Sequence, residues 1–311
     1  MPTSPIIDWL LTCDYPDVRY RTAIELLDRS PDDPRVRTAH AFVPSHPAVA
    51  GLLAAQKPGG YWGRPDYYLP KHYGTFWTLT VLAELGISRR NDHIRRAWEF
   101  LAEHQRADGQ FCRLRRVPRQ GLVWDQAAEP CTQARIVRFL VQFGYGDDPR
   151  VQAAFHWLLT NQRPDGMFAC RVGGEGCLRS TLDFLRAAEL IFTIASGPAI
   201  GLAAEALLER LMQPVKPRSR APDPWQTFQY PYFNYGLLPA LDVLARLGFD
   251  PTHPRIAPAL AYLRSRRLPD GAWPLDLPVE RPPLFFGHAG QPNPWLTLDA
   301  LSVLKRFRVE E

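Results

Sequence analysis

The sequence predicts an all-α protein, an α/α toroid in which inner and outer helices form a six-hairpin-type barrel, on two observations. A helix-and-turn motif recurs in register along the chain, and the segments between its copies read as helices that are apolar nearly all round. The 311 residues are 46% hydrophobic and 22% charged, the balance of a soluble globular chain with a substantial core. Its 31 prolines fall mostly between apolar stretches, so the elements should be short and rigidly joined.

Taken in order, residues 1–45 read as an N-terminal helical pair, Ile6–Leu11 and Val18–Leu27, and 47–307 as repeat units of one domain spanning 1–311. The motif appears as LLAAQKPGGYW from Leu52, WEFLAEHQRADGQF from Trp98, WLLTNQRPDGMF from Trp157 and YLRSRRLPDGAW from Tyr262. A further copy near Leu207–Gln213 keeps the helix but has lost the Asp-Gly turn. In the others an amphipathic outer helix ends in a glycine, which supplies the positive φ that closes it, and an aromatic residue follows. The inner helices are Phe76–Gly86, Ile136–Gly144, Leu237–Gly248 and Trp295–Phe307. Polar links such as Asp147-Asp148-Pro149 read as N-caps with proline in the first turn. The unit length, roughly 50 to 57 residues, suits helical repeats, and an open solenoid is the competing arrangement.

Net charge is +5, with the basic residues nearly all arginine and scattered, which does not indicate a nucleic-acid face. No apolar run reaches the length of about 18 residues needed to span a bilayer. The N-terminus lacks a basic region followed by an apolar one, so the expectation is a cytoplasmic protein with its five cysteines reduced.

The Gln-x-x-Asp-Gly-x-aromatic signature at Gln105–Phe111 and Gln162–Phe168, degenerate at Arg267–Trp273, resembles the repeats of squalene–hopene cyclases and of protein prenyltransferase β subunits. That resemblance covers about residues 47–307 and implies a central cavity for an isoprenoid, such as a prenyl diphosphate or terpenoid. The cyclases protonate an alkene with Asp-x-Asp-Asp, which this sequence lacks; Asp32-Asp33 and Asp147-Asp148 sit in links where capping explains them. The prenyltransferases hold zinc with Asp-x-Cys and a histidine from a later helix. Glu175-x-Cys177 resembles the first part, Tyr230–Tyr235 has no histidine, and His288 precedes the next inner helix.

Aligning the repeats places Cys112 and Cys170 just after their turns, and Cys131 and Cys177 at the openings of the following inner helices. A four-thiolate zinc site at Cys112, Cys131, Cys170 and Cys177 is one reading, and small apolar filler is the other. Cys13 reads as core.

Three acids fall within inner helices, Asp183, Asp242 and Asp299. Buried in a cavity, Asp183 and Asp299 would be candidate general acids; the plainer reading is an ion pair, for Asp183 with Arg179 or Arg186 one turn away. Arg135, Arg138 and Arg171 could hold a diphosphate, as the prenyltransferase resemblance implies, or lie along the surface. The aromatic candidates for substrate contact are His72, Tyr73, Trp77, Tyr232, Tyr235 and Trp295, against a purely structural core role. Two functions follow: a protein that binds or transforms an isoprenoid or other long apolar molecule, or a non-catalytic toroid holding a lipid or a protein partner.

Overall fold

A computed structural model describes residues 4–124, 129–169, 176–191, 197–213 and 222–309. The fold is all-α in class, of paired inner and outer helices as predicted, with one short β-hairpin among the described residues. It divides into two compact units, one of residues 1–50, 208–280 and 285–311, the other of 51–207 and 281–284. No described helix is long and apolar enough to cross a membrane.

The first unit begins with α1 (Pro5–Thr12), α2 (Pro16–Arg21) and α3 (Pro34–Phe42). A π-helical turn, Thr22–Leu26, carries α2 onward, so the expected helix Val18–Leu27 is present with a change of pitch inside it. Next, α4 (Pro47–Ala54) leads from the first unit into the second. There α5 (Thr75–Glu84) is buried from Thr75 through Ala83, and α6 (Asp92–Ala102) buries only Ile94, Ala97, Trp98, Phe100 and Leu101, one stripe of an amphipathic helix. That contrast is the inner–outer alternation read from the sequence.

After α6 the chain forms a hairpin, β1 (Leu114–Val117) antiparallel to β2 (Gly121–Trp124), which the repeat pattern did not predict. Its turn holds Arg119 at φ 66° and Gly121 at φ 79°, the left-handed geometry a tight hairpin needs. Then come the inner α7 (Pro130–Gln142), outer α8 (Pro149–Thr160), inner α9 (Leu178–Ile191) and α10 (Pro198–Arg210). The first unit resumes with α11 (Leu237–Arg246), α12 (Ile256–Ser265) and α13 (Pro294–Arg306).

The acids in the links do cap: Asp33 accepts from the Arg35 N–H at 2.8 Å and Asp148 from that of Arg150 at 2.9 Å. The repeat glutamine has an equally specific role. Gln105 Nε2 donates to the carbonyl of Gly109 at 3.1 Å, closing its own turn, and to that of Arg150 at 2.8 Å, in the next outer helix. Gln56 does the same to Gly60 and His93, and Gln162 to Gly166 and Ala199. In the degenerate copy Arg267 Nε donates to Gly271 at 3.1 Å. The motif's glycine is forced twice over: Gly109 has φ 90°, and a Cβ there would lie 2.5 Å from the Ala153 carbonyl oxygen. The motif is therefore a clamp between successive outer helices. Gln105→Ala should remove two partly buried hydrogen bonds and lower stability by about 1–3 kcal/mol, read as a lower urea midpoint at unchanged slope.

Candidate functional site

In the second unit the inner helices place charge on facing sides. Arg135 and Arg138 lie three residues apart on α7, and Arg179, Asp183 and Arg186 at spacings of four and three on α9, so each set shares a helix face. The two helices pair with a constant offset: Arg135–Asp183 and Cys131–Arg179 are each 48 residues apart. Arg135 Nε donates to Asp183 Oδ2 at 2.8 Å, and Arg138 Nε lies 3.3 Å from Asp183 Oδ1. Arg138 then reaches Glu84 of α5 at 2.9 Å, and Arg186 reaches the same carboxylate at 3.2 Å. Asp183 thus draws its hydrogen-bonded partner from the neighbouring inner helix, not from Arg179 or Arg186, because the facing helices bring Arg135 and Arg138 closer than the in-helix residues. Arginines outnumber carboxylates in this buried ladder. Arg135 Nη1 and all three Arg138 nitrogens sit without an aligned hydrogen bond, although Arg138 Nη1 and Nε keep ion-pair distances to Glu84 and Asp183.

At the opening of α7 the same pattern meets sulfur. Arg179 Nη2 donates to Cys131 Sγ at 2.8 Å, and Cys177, just ahead of α9, lies close enough to the same sulfur to influence it. The Cys177 contact is the largest influence lowering the Cys131 thiol below its usual range; burial opposes it, and the Arg179 charge reinforces it. Cys177 is raised correspondingly, by that contact and then by burial. Tyr68 lies close by, with Arg113 over its ring at 4.6 Å and Trp77 packed against it.

In the first unit a second set of buried charges surrounds α2 and α13. Arg21 donates to Glu25 at 2.7 Å and to Asp299 at 2.6 Å, and the Tyr232 hydroxyl donates to Asp299 at 2.5 Å. Burial is the main influence on Asp299 and raises it; the Arg21 charge and the Tyr232 bond pull the other way. Beside it, Trp295 Nε1 donates to Asp17 at 2.6 Å, and burial raises that carboxyl too. Trp295 stacks on Tyr230 at 5.5 Å and meets Phe286 at 4.9 Å and Tyr15 at 4.2 Å. It also lines a cleft of about 400 Å³ together with Trp9, Cys13, Asp14, Tyr15, Phe286 and Asn293, among others.

The residues singled out from the sequence distribute as follows. Trp295 borders the cleft, and Tyr232 holds Asp299. Tyr235 packs on Trp225, and Tyr73 is exposed. His72 stands edge-on to Trp77, which is core, with its indole N–H given to the Tyr68 carbonyl. Arg135 is locked to Asp183. Cys112 is buried, and Cys170 and Arg171 lie outside the described residues. Among the described residues no group of three or more His, Cys, Asp or Glu could hold a metal. Cys131 also fits a cation poorly, since its sulfur already accepts from the Arg179 guanidinium, whose charge would repel one. His288 is exposed against Phe285 in the first unit, whereas Cys177 belongs to the second. Asp17 went unrecognised in the sequence because it lies ahead of the repeats, where an acid after Pro16 reads as an ordinary first-turn residue.

No family model and no curated protein matches the chain. Among solved structures it is similar to a type II terpene cyclase from Scytonema, MstE. A variant of that enzyme holding geranylgeranyl dihydroxybenzoate is 17% identical at TM-score 0.48, over 96% of this chain and 88% of that one. The apo enzyme is 16% identical at TM-score 0.47, over 96% and 89%.

Proposed function

We propose that the protein binds a long apolar molecule of isoprenoid type in the aromatic cleft of its first unit. The observation that carries this reading is the cleft itself: four aromatic side chains, Trp9, Tyr15, Phe286 and Trp295, border one open space of about 400 Å³. The Trp295 indole is held in place by Asp17 behind it, so that wall is preorganised. Phe285, at the neighbouring position in the loop, is 61% exposed and extends the apolar surface. Binding suits these residues better than proton donation does. Asp183 and Asp299 are each held by an arginine, and to act as acids they would first have to leave an ion pair.

The test is saturable quenching of tryptophan emission by a long-chain prenyl alcohol, against glycerol as a polar control. Trp9→Ala and Phe286→Ser should each weaken binding at least tenfold while keeping the helical circular dichroism of the parent. Equal affinity for both variants and the parent would remove the cleft as the site.

A further inference from the structure

The sulfur pair at the opening of α7 is used by none of the foregoing. We propose that Cys131 is a peroxide-reactive nucleophile and Cys177 its resolving partner, the two joining in a reversible disulfide between inner helices α7 and α9. Four observations converge on this. The two cysteines meet where the openings of α7 and α9 face each other, since Arg179, two residues after Cys177, bonds Cys131 and Cys177 is the neighbour that most influences it. Arg179 Nη2 donates to Cys131 Sγ at 2.8 Å, the arrangement that stabilises a thiolate. Cys131 sits in the first turn of a 13-residue helix, where unpaired N–H groups favour negative charge. Both cysteines are partly exposed, so a small oxidant can reach them. Facing the pair are Glu129, which opposes the thiolate, and Tyr68 and Arg179, with Arg113 beyond Tyr68. The Arg179 bond, made to Cys131 and not to Cys177, divides the roles: the first is the attacking thiolate, the second keeps its proton until the resolving step.

The steps balance with a hydroperoxide as oxidant. The Cys131 thiolate attacks one oxygen of hydrogen peroxide, the O–O bond breaks, and the departing hydroxide takes a proton from solvent to become water. Cys131 is then a sulfenic acid. Cys177 sulfur attacks the Cys131 sulfur, the S–O bond breaks, and the leaving hydroxyl departs as water with the Cys177 proton. In sum two thiols and one peroxide give one disulfide and two waters, and a dithiol reductant reverses the change.

The experiment treats the full-length reduced protein with equimolar hydrogen peroxide, quenches with an alkylating agent and maps peptides without reduction. The Cys131–Cys177 disulfide should accumulate before any other cysteine is oxidised and disappear with dithiothreitol. Cys13, whose thiol burial raises to about 11, is the internal slow standard. Cys177→Ser should stop the reaction at a dimedone-reactive Cys131. Arg179→Met should slow it at least tenfold, and Arg179→Lys should restore part of the rate, which separates a charge effect from a packing one. Oxidation spread evenly over the five cysteines, a Cys177 disulfide to Cys170 instead, or an unchanged rate in folded Arg179→Met would overturn the proposal.

Discussion

Asp183→Leu is expected to lower folding stability by about 3–5 kcal/mol, because removing one partner of a buried ion pair leaves the other charge uncompensated. Asp183 and Arg135 each expose 2% of their side chains and Arg138 none, so water cannot take over when the carboxylate is lost. Glu84 would be left facing both Arg138 and Arg186. The mechanism makes a second, opposite prediction. Replacing the arginines together with the acid, as Arg135→Met, Arg138→Met and Asp183→Leu in one chain, should recover most of the loss, since packed apolar side chains need no counter-charge. Urea midpoints of the single and triple variants decide it. A single variant within about 1 kcal/mol of the parent would mean the arginines find another partner, and a triple variant as weak as the single would mean the ladder fixes the helix packing.

Why this ladder escaped the sequence is instructive. The spacing of Arg179, Asp183 and Arg186 announces neighbours within α9, and in-helix pairs are what spacing alone can see. The hydrogen-bonded partner comes from α7, at an offset of 48 residues, and that offset is legible only once two inner helices are known to lie side by side. The repeat did supply the frame: it placed the outer-helix turns, the cap at Asp148 and the buried character of α5. The repeat alignment set Cys131 and Cys177 at the openings of neighbouring inner helices, and Cys112 joins no metal-holding group with them among the described residues. Its own glutamine was read as signature, whereas its chemistry, a donor shared between two carbonyls of successive outer helices, depends on a contact 45 residues away. The hairpin after α6 was invisible for a different reason. It is an insertion between repeat elements, and a period cannot forecast what interrupts it. Asp17 and one wall of the cleft, Trp9 to Tyr15, lie ahead of the repeats, while its other wall, Phe286 to Trp295, leads into an inner helix.

The other large effect is one of pH, and it centres on Glu25. Burial alone would raise this carboxyl, but the Arg21 charge and hydrogen bond, then the Arg306 charge, outweigh it and hold it at about 2 against an ordinary 4.5. Arg21 Nε lies 2.7 Å from the carboxylate and Arg306 Nη2 3.2 Å. A depressed carboxyl contributes stability that is present above its unfolded value and lost as pH falls through the folded one. The drop from 4.5 to about 2 corresponds to about 3 kcal/mol, so Glu25→Gln should cost about that much at neutral pH. Below about 2 the parent carries a protonated Glu25, close to glutamine in shape and charge, and the two stability curves should meet. Asp17, Asp183 and Asp299 run the other way, since burial raises each, and whatever they contribute is present in acid and lost as pH rises through their folded values. Asp17 and Asp183 act on parent and variant alike and cancel in the difference, whereas Asp299 shares Arg21 with Glu25 and is raised in part by the Glu25 charge, so the difference reports Glu25 together with that coupling. Urea midpoints of both proteins from neutral pH down to about 2 therefore read the Glu25 charge and its coupling through Arg21. Converging curves assign the loss to its ionised form; curves that stay parallel into acid would place the contribution of Glu25 in packing rather than in charge.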